Sequence, residues 1–142
     1  MSAAASTGSA PADRLPERSP FLIVLVSWLV PGAGHFLLSR RGRAAILFAT
    51  ILLTFLVGIA MNGPFFSPSS NGDMLSRLIQ YGGFIGDLAS GGLYFVAWLL
   101  GYGPPDQAGH VPDYGSKFLV AAGLMNILAM VDAYEIATKK KD

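Results

Sequence analysis

The sequence predicts an all-α integral membrane protein, built as a compact bundle of about four transmembrane helices. The chain is 52% hydrophobic and only 13% charged, about half the charged share of a typical soluble domain. Four apolar stretches each approach the ~20 residues that cross a bilayer as a helix. They do not alternate apolar and polar residues as transmembrane β-strands do. The crossing segments should therefore be helices.

The 142 residues leave room for one domain. Residues 1–20, rich in Ala, Ser and Pro, are expected to form a disordered tail. Residues 21–138 form the predicted transmembrane domain, and residues 139–142 a basic tail. Because Arg14 and Arg18 precede an apolar run, a signal peptide is the alternative for the start of the chain. That run ends in "PGAGHF" rather than in a small-residue cleavage site, which favours a retained helix.

The apolar stretches cover residues 21–38, 44–61, 82–101 and 118–137. The second and fourth are the most regular. The motif turn of Pro31, Gly32 and Gly34 interrupts the first, and glycines together with Asp87 interrupt the third. The sequence leaves open that the first or third stretch is broken or re-entrant and does not cross fully.

Three connections join these stretches. Residues 39–43, "SRRGR", form a tight basic turn. Residues 62–81 begin as a loop and continue from Asp73, a good N-cap, as a short interfacial helix. Residues 102–117 form a polar loop, in which Asp113 is expected to cap the last helix.

Small and polar residues recur at helical spacing in three of the stretches. Such spacing lets helix backbones approach closely in lipid, which predicts close packing and offers faces for self-association. The three stripes are Thr50, Thr54 and Gly58; Gly82, Gly86 and Ser90; and Ala122, Asn126, Ala129 and Ala133.

The distribution of positive charge gives a divided orientation. With four complete crossings, one side carries Arg14, Arg18, Arg77 and Lys139 to Lys141, and the other carries Arg40, Arg41, Arg43 and Lys117. The first set is larger, so the positive-inside rule favours cytoplasmic termini. The densest short cluster nevertheless lies on the opposite side.

Asp87 lies near the middle of the third stretch, where an ionisable residue costs about 3 kcal/mol to insert. It is therefore a candidate proton or cation site, with Ser90 and Tyr94 on the same face. The alternative is structural: Asp87 fixes helix packing through a hydrogen bond with Thr50 or Asn126.

Asp132 and Glu135 stand one turn apart near the end of the fourth stretch. Two carboxylates can act as acid and base or as ligands of a hard cation. They could instead pair with the arginines at positions 40–43, but only if both ends of the molecule share a membrane face.

The break at Pro31 frees main-chain groups, and His35 is their expected hydrogen-bond partner. Within this turn, His35 and Arg40 are the residues whose mutation would test a function.

Several function classes find no support in the sequence. The chain contains no cysteine and two histidines, with no zinc-site spacing. "GAGHF" lacks the strand and third glycine of a dinucleotide-binding loop, and no nucleophile–base set is visible. The net charge of +1 gives no basic surface for nucleic acid. We expect no enzyme activity, no cofactor and no metal.

The stretch "WLVPGAGHFLLSRRGRAAILFA" resembles a signature of small bacterial membrane proteins and is distantly similar to the two-transmembrane domain superfamily. The closing "AGLMNILAMVDAYEIA" is similar to the final helix of an uncharacterised family with a domain of unknown function. The residues that carry the resemblance are Pro31, Gly32, Gly34, His35, Phe36, Arg40, Gly42, Asn126, Asp132 and Ala133. The resemblance implies a bacterial inner-membrane location and no particular activity.

Together these observations predict a multi-pass protein of the bacterial inner membrane. Its expected role is non-enzymatic, as an accessory, assembly or scaffold component of a membrane complex. Its expected partners are the lipid bilayer, other membrane subunits or a second copy of itself. The alternative is a small transporter or channel that uses Asp87, Asn126 and Asp132 as intramembrane sites.

Overall fold

The computed structural model describes residues 19–68, 70–103 and 110–138, and this part of the chain contains helices and no strand. Two helices of this part, α3 (Arg41–Ala60) and α6 (His110–Ala137), are long and apolar enough to cross a membrane. In chain order the helices are α1 (Pro20–Leu29), α2 (Ala33–Leu37), α3 (Arg41–Ala60), α4 (Met74–Ala89), α5 (Gly92–Leu99) and α6 (His110–Ala137).

Only the second and fourth predicted segments therefore form long continuous helices. The first segment is divided into α1 and α2, and the third into α4 and α5. The sequence left such breaks open as an alternative to four crossings, and both occur.

The first break follows from Pro31 and Gly32. A proline disfavours helical backbone in the residue before it, and Val30 is extended, with φ −126° and ψ 111°. Gly32 then adopts φ +78°, a conformation that suits glycine. The chain reverses here, and Gly34 of α2 packs back against Ser27 and Ile23 of α1. Helices α1 and α2 thus form a hairpin, the first hairpin.

The second break follows α4. Asp73 caps this helix as predicted, because its Oδ1 accepts a hydrogen bond of 3.3 Å from the Ser76 amide. Hydrogen bonds from the Ser76 hydroxyl and amide lower the pKa of Asp73. The predicted interfacial helix does not stop, however, but continues as α4 to Ala89. At Gly91, with φ +63° and ψ −123°, the chain turns into α5.

Helix α5 returns toward the end from which α4 came. The Tyr102 hydroxyl, just beyond α5, donates a hydrogen bond of 3.0 Å to the Gly63 carbonyl after the end of α3. The Phe66 amide, in the same connection, bonds to Asp87 of α4. Helices α4 and α5 therefore form a second hairpin.

Helices α3 and α6 are antiparallel and define two ends of the molecule. At one, the Asp132 end, Arg43 contacts Asp132. At the other, the Gly115 end, Gly58 lies against Gly115 and Leu119. The first hairpin starts and finishes at the Asp132 end, where Gly34 packs on Ala133. The second starts and finishes at the Gly115 end, so the two hairpins enter from opposite ends.

The predicted packing stripes are confirmed in α6 and in part elsewhere. Ala122, Asn126, Ala129 and Ala133 are all buried. Gly86 and Ser90 are buried, but Gly82 is exposed. In α3, Gly58 is buried, whereas Thr50 is exposed and Thr54 is half-buried. The buried face of α3 consists of Ala44, Ile51, Phe55 and Gly58. Apolar side chains such as Ile51 and Phe55, and not the two threonines, therefore form the part of the core that α3 contributes.

Candidate functional site

Residues from three helices meet at the Asp132 end. The His35 Nε2 atom lies 2.8 Å from Oδ2 of Asp132, and Arg43 Nη1 lies 3.3 Å from the same oxygen. His35 is fully buried, and the Asp132 side chain is 22% exposed. We call these three residues the Asp132 cluster; they join α2, the start of α3 and the end of α6.

The local backbone brings Arg43 to this cluster. The Arg40 amide donates a hydrogen bond of 2.8 Å to the His35 carbonyl, which ends α2 and turns the chain directly into α3. Arg40 occupies the N-cap position, and the Ala44 amide bonds to its carbonyl. Arg43 in the first turn of α3 then reaches Asp132. The sequence offered pairing of Asp132 with the arginines at positions 40–43 as an alternative, and the structure shows that pairing, with Arg43 rather than the singled-out Arg40 as the partner.

The chemistry of the cluster is that of a shared carboxylate. One oxygen of Asp132, Oδ2, lies within hydrogen-bond distance of both the imidazole and the guanidinium, so a single carboxylate oxygen connects the other two side chains. With Nε2 facing the carboxylate, the His35 Nδ1 atom has no hydrogen-bond partner within the described residues. The arrangement locks three helices together and leaves one buried imidazole nitrogen for a further hydrogen bond.

Glu135 does not join this cluster. Its main-chain carbonyl accepts a hydrogen bond from the Thr138 hydroxyl, and no ion pair of its side chain occurs within residues 19–68, 70–103 and 110–138. Among these residues no group of three His, Asp or Glu side chains is placed to hold a metal ion. The structure therefore gives Asp132, but not Glu135, a place in the cluster.

The tips of the two hairpins meet at Asn126, halfway along the apolar part of α6. The Asn126 Nδ2 atom donates to the Trp28 carbonyl at 3.2 Å and to the Ala89 carbonyl at 2.9 Å. These carbonyls belong to the last turns of α1 and α4, where helices leave main-chain acceptors unpaired. The Trp28 indole also donates to the Leu88 carbonyl at 3.1 Å. We call this arrangement the tip junction.

Glycines make the tip junction possible. A Cβ on Gly91 would overlap the Trp28 carbonyl oxygen, and one on Gly92 would overlap that of Leu29. On α6, a Cβ on Gly123 would overlap the Gly86 carbonyl oxygen of α4. Backbones therefore touch directly where the hairpins meet.

The prediction that His35 satisfies the main chain freed at the Pro31 break is wrong. A main-chain carbonyl in the last turn before the break, that of Trp28, accepts a hydrogen bond from Asn126 instead. His35 lies on the returning helix α2, which carries it away from the tip and toward Asp132. Because the chain reverses at Gly32, His35 contacts Asp132, and Asn126 of α6 contacts the main chain at the break. The spacing of residues in the sequence does not show this reversal.

Asp87 is buried, as expected, but its partner differs from the prediction. Its Oδ2 accepts a hydrogen bond of 2.7 Å from the Phe66 amide, and neither Thr50 nor Asn126 takes that place. Its other oxygen, Oδ1, has no hydrogen-bond partner within the described residues. Asp87 therefore ties the connection after α3 to α4, which agrees with a structural role.

Ser90 and Tyr94, predicted on the same face as Asp87, make other contacts. The Ser90 hydroxyl donates back to the Asp87 carbonyl at 2.6 Å, which helps to end α4. The Tyr94 ring packs edge-on against Phe65, with ring centres 4.9 Å apart. Phe66 enters the polar contacts through its main-chain amide, and Trp28 through its carbonyl as well as its indole. For main-chain atoms the residue type gives no signal.

Fold and site together define an all-helical protein in which two long apolar helices support two opposed helical hairpins. The chain belongs to a family of unknown function, DUF6677, whose model matches residues 22–142. No curated protein matches the chain, and no solved structure does.

Proposed function

We propose that this protein is a small integral membrane protein of the bacterial inner membrane, which acts without catalysis as an accessory, assembly or scaffold component of a membrane complex. The observation that carries the proposal is the surface. Every helix exposes large apolar side chains, among them Phe21 (75%), Phe36 (59%), Ile46 (69%), Leu78 (68%), Trp98 (68%) and Leu128 (68%).

The two long helices support a membrane location in the same way. Only 22% of the most apolar window of α3 and 33% of that of α6 is buried inside the chain. The rest needs an apolar environment, because exposed patches of this extent are unfavourable in water. A bilayer or a partner within it supplies that environment.

In the proposed topology α3 and α6 cross the membrane and the two hairpins are re-entrant. Main-chain groups at a break within the bilayer must be satisfied by protein, and Asn126 does this at the tip junction. The basic turn then lies at the same end as the start of α1 and the end of α6. In the sequence, eight of the ten Lys and Arg residues fall in this turn, before α1 or after α6, all except Arg77 and Lys117. The positive-inside rule places this end in the cytoplasm.

The polar side chains in the interior support an interaction role over a chemical one. The Asp132 cluster, Asn126 and Asp87 each bond to another segment of the same chain. What the protein presents outward is apolar, including a strip of small residues on α3 formed by Gly42, Ala45 and Ala49, all exposed. Small residues allow a partner helix to approach closely.

Native mass spectrometry after extraction in mild detergent tests this proposal. We expect a complex of fixed stoichiometry that contains a second copy or another membrane subunit, and we expect Ala49→Phe to dissociate it. Leu124→Phe, at a residue 52% exposed on α6, is the control for added bulk on another face. A wild-type protein that is always recovered as a monomer would contradict the proposal.

The second candidate function is transport, and the hairpin arrangement favours it. Many transporters bind their substrates where broken helices meet near the middle of the membrane. Here the opposed hairpins meet beside Asn126, and Asp87 lies buried in α4 with one oxygen that finds no hydrogen-bond partner among the described residues.

Asp87→Asn separates the two functions. The asparagine Oδ1 can still accept the Phe66 amide hydrogen bond, so the fold is expected to be retained while any proton exchange is lost. The measurement is proton flux into proteoliposomes under a pH gradient and a potential. A flux that wild type shows and Asp87→Asn lacks would establish transport; equal rates in wild type, Asp87→Asn and empty vesicles favour the scaffold.

A further inference from the structure

An apolar groove of about 580 Å³ runs along the outside of the first hairpin where it packs on α3. The hairpin lines it with Val30, Pro31 and Phe36, and α3 with Ala45 and Phe48. A second groove of about 390 Å³ shares Val30, Pro31 and Phe48 and continues toward α5, where Leu93 and Val96 line it. The two grooves form one apolar strip along the surface of the molecule.

One charged residue lines this strip, and it lies at the Asp132 end. Arg41 borders the first groove, and its guanidinium carbon lies 5.9 Å from the centre of the Phe36 ring, within the range of a cation–π contact. Arg43, two residues on, is paired with Asp132. Arg41 makes no ion pair with a carboxylate in the described part of the chain.

We propose that this groove binds one anionic phospholipid, with its phosphate at Arg41 and an acyl chain along Pro31 and Phe48. The inference rests on the membrane location proposed above. The groove is apolar along its length and cationic at its mouth, which matches a lipid that is anionic at one end only. From Arg41 to Phe48 the helix rises about 10 Å, so a chain in the groove runs from the headgroup level into the apolar layer.

The occupant is expected to be a diacyl lipid, because its binding uses both the cation at Arg41 and the apolar lining of the strip. A free phosphate would use Arg41 but not the apolar lining, and a zwitterionic lipid would fill the lining but gain little from the cation. One surface cation is worth about a fivefold preference for anionic over zwitterionic lipid. An acyl chain bound in the groove keeps the headgroup beside Arg41, which adds to the preference for anionic lipid.

The experiment is native mass spectrometry of the full-length protein, delipidated and then titrated with phosphatidylglycerol or with phosphatidylcholine of the same chains. We expect one phosphatidylglycerol per chain, retained at least about fivefold better than phosphatidylcholine. Arg41→Gln should abolish this preference, and Arg41→Lys should keep most of it. Arg77→Gln removes an exposed arginine at the Gly115 end and should match wild type.

A further variant and a further ligand test the groove itself. Ala45→Phe places a ring in the lining and should weaken both lipids, while glycerol 3-phosphate at the same concentration should not displace bound phosphatidylglycerol. Equal retention of the two lipids by wild type, or an unchanged preference in Arg41→Gln, would overturn the proposal. So would displacement by glycerol 3-phosphate.

The outcomes also separate this inference from the proposed function. A protein found in the soluble fraction without detergent would overturn the membrane location and the lipid site together. A membrane protein with no preference for phosphatidylglycerol would overturn the lipid site alone.

Discussion

At the scale of single residues, two side chains hold this molecule together by bridging segments that are distant in the chain. Asn126 bonds to Trp28 and to Ala89, 98 and 37 residues away. Asp132 contacts His35 and Arg43, 97 and 89 residues away. Both therefore act as long-range connections, and their loss should be felt across the whole fold.

Asn126→Ala tests the tip junction. The change leaves the Trp28 and Ala89 carbonyls without their shared donor in a buried position, which costs about 1–3 kcal/mol per unsatisfied group. We expect the free energy of unfolding, measured by titration with sodium dodecyl sulphate from a mild detergent, to fall by at least that amount.

Asn71→Ala is the control, because Asn71 is exposed in the connection before α4. It should leave the unfolding curve unchanged. If both variants unfold like wild type, Asn126 does not hold the hairpins together.

A double-mutant cycle tests the Asp132 cluster. His35→Gln removes the imidazole that contacts Asp132, and Asp132→Asn removes the negative charge that both His35 and Arg43 contact. Each change should cost about 1–3 kcal/mol. The double variant should lose clearly less than the two single losses combined, because the second change removes an interaction that is already absent. Unfolding titrations of all four proteins give the coupling energy.

Glu135→Gln serves as the reference for loss of a carboxylate near the end of α6. It should cost little, since Glu135 lies outside the cluster. Strict additivity of His35→Gln and Asp132→Asn would show that the two side chains do not interact.

At the scale of elements, the breaks decide the architecture, and the two breaks have different causes. Pro31 lacks an amide hydrogen and disfavours helical backbone at Val30, so the first break can be predicted from the sequence. The second contains no proline and depends on Gly91, whose φ of +63° and ψ of −123° suit glycine. The hairpins close only because these turns bring their tips against each other.

Gly91→Ala should prevent the second hairpin from docking. An alanine Cβ would be strained at this φ and would also overlap the Trp28 carbonyl oxygen. We expect loss of the monodisperse peak in size-exclusion chromatography and a sharp fall in thermal stability.

Gly101→Ala separates the two causes. Gly101 has a similar φ of +74°, but nothing lies within 4 Å of an added Cβ, so only backbone strain applies. That strain costs about 1–3 kcal/mol. If Gly91→Ala is no more harmful than Gly101→Ala, close contact at the tip junction is not needed.

At the scale of the whole molecule, one arrangement occurs twice along the chain: a hairpin followed by a long helix. The second copy runs in the opposite direction to the first. The first hairpin opens at the Asp132 end and the second at the Gly115 end, while α3 and α6 run antiparallel. The sequence shows no convincing internal repeat, so this repetition is visible only in the arrangement of the helices.

Cysteine labelling tests the proposed topology, and the absence of native cysteine gives a clean background. Gly42→Cys and Thr138→Cys lie at the Asp132 end, and Ser70→Cys lies in the connection at the Gly115 end. We expect an impermeant maleimide applied to intact cells to label Ser70→Cys alone, and the other two only after the cells are opened.

Four plain crossings predict a different pattern. They would put Gly42→Cys on the side opposite Thr138→Cys, so these two variants would label under different conditions. That result would rule out the re-entrant first hairpin.

The sequence alone was sufficient for the helical class, the two long helices, the Asp73 cap and the buried stripe of α6. Each of these depends on composition or on spacing within one segment, which a sequence displays directly. It also identified His35, Asp87, Asn126 and Asp132 as candidates, because polar residues in apolar stretches need partners. It offered the pairing of Asp132 with the arginines at positions 40–43 but singled out Arg40 instead of Arg43, and it assigned wrong partners to His35 and Asp87.

Only the tertiary structure decided those partners. Which acceptor Asn126 reaches, and which arginine Asp132 reaches, depends on how far each hairpin penetrates before it turns. That depth follows from two reversals at Gly32 and Gly91 and from backbone contacts between segments far apart in the chain. The sequence therefore determined what kinds of segments this protein has, and packing between those segments determined which polar groups meet.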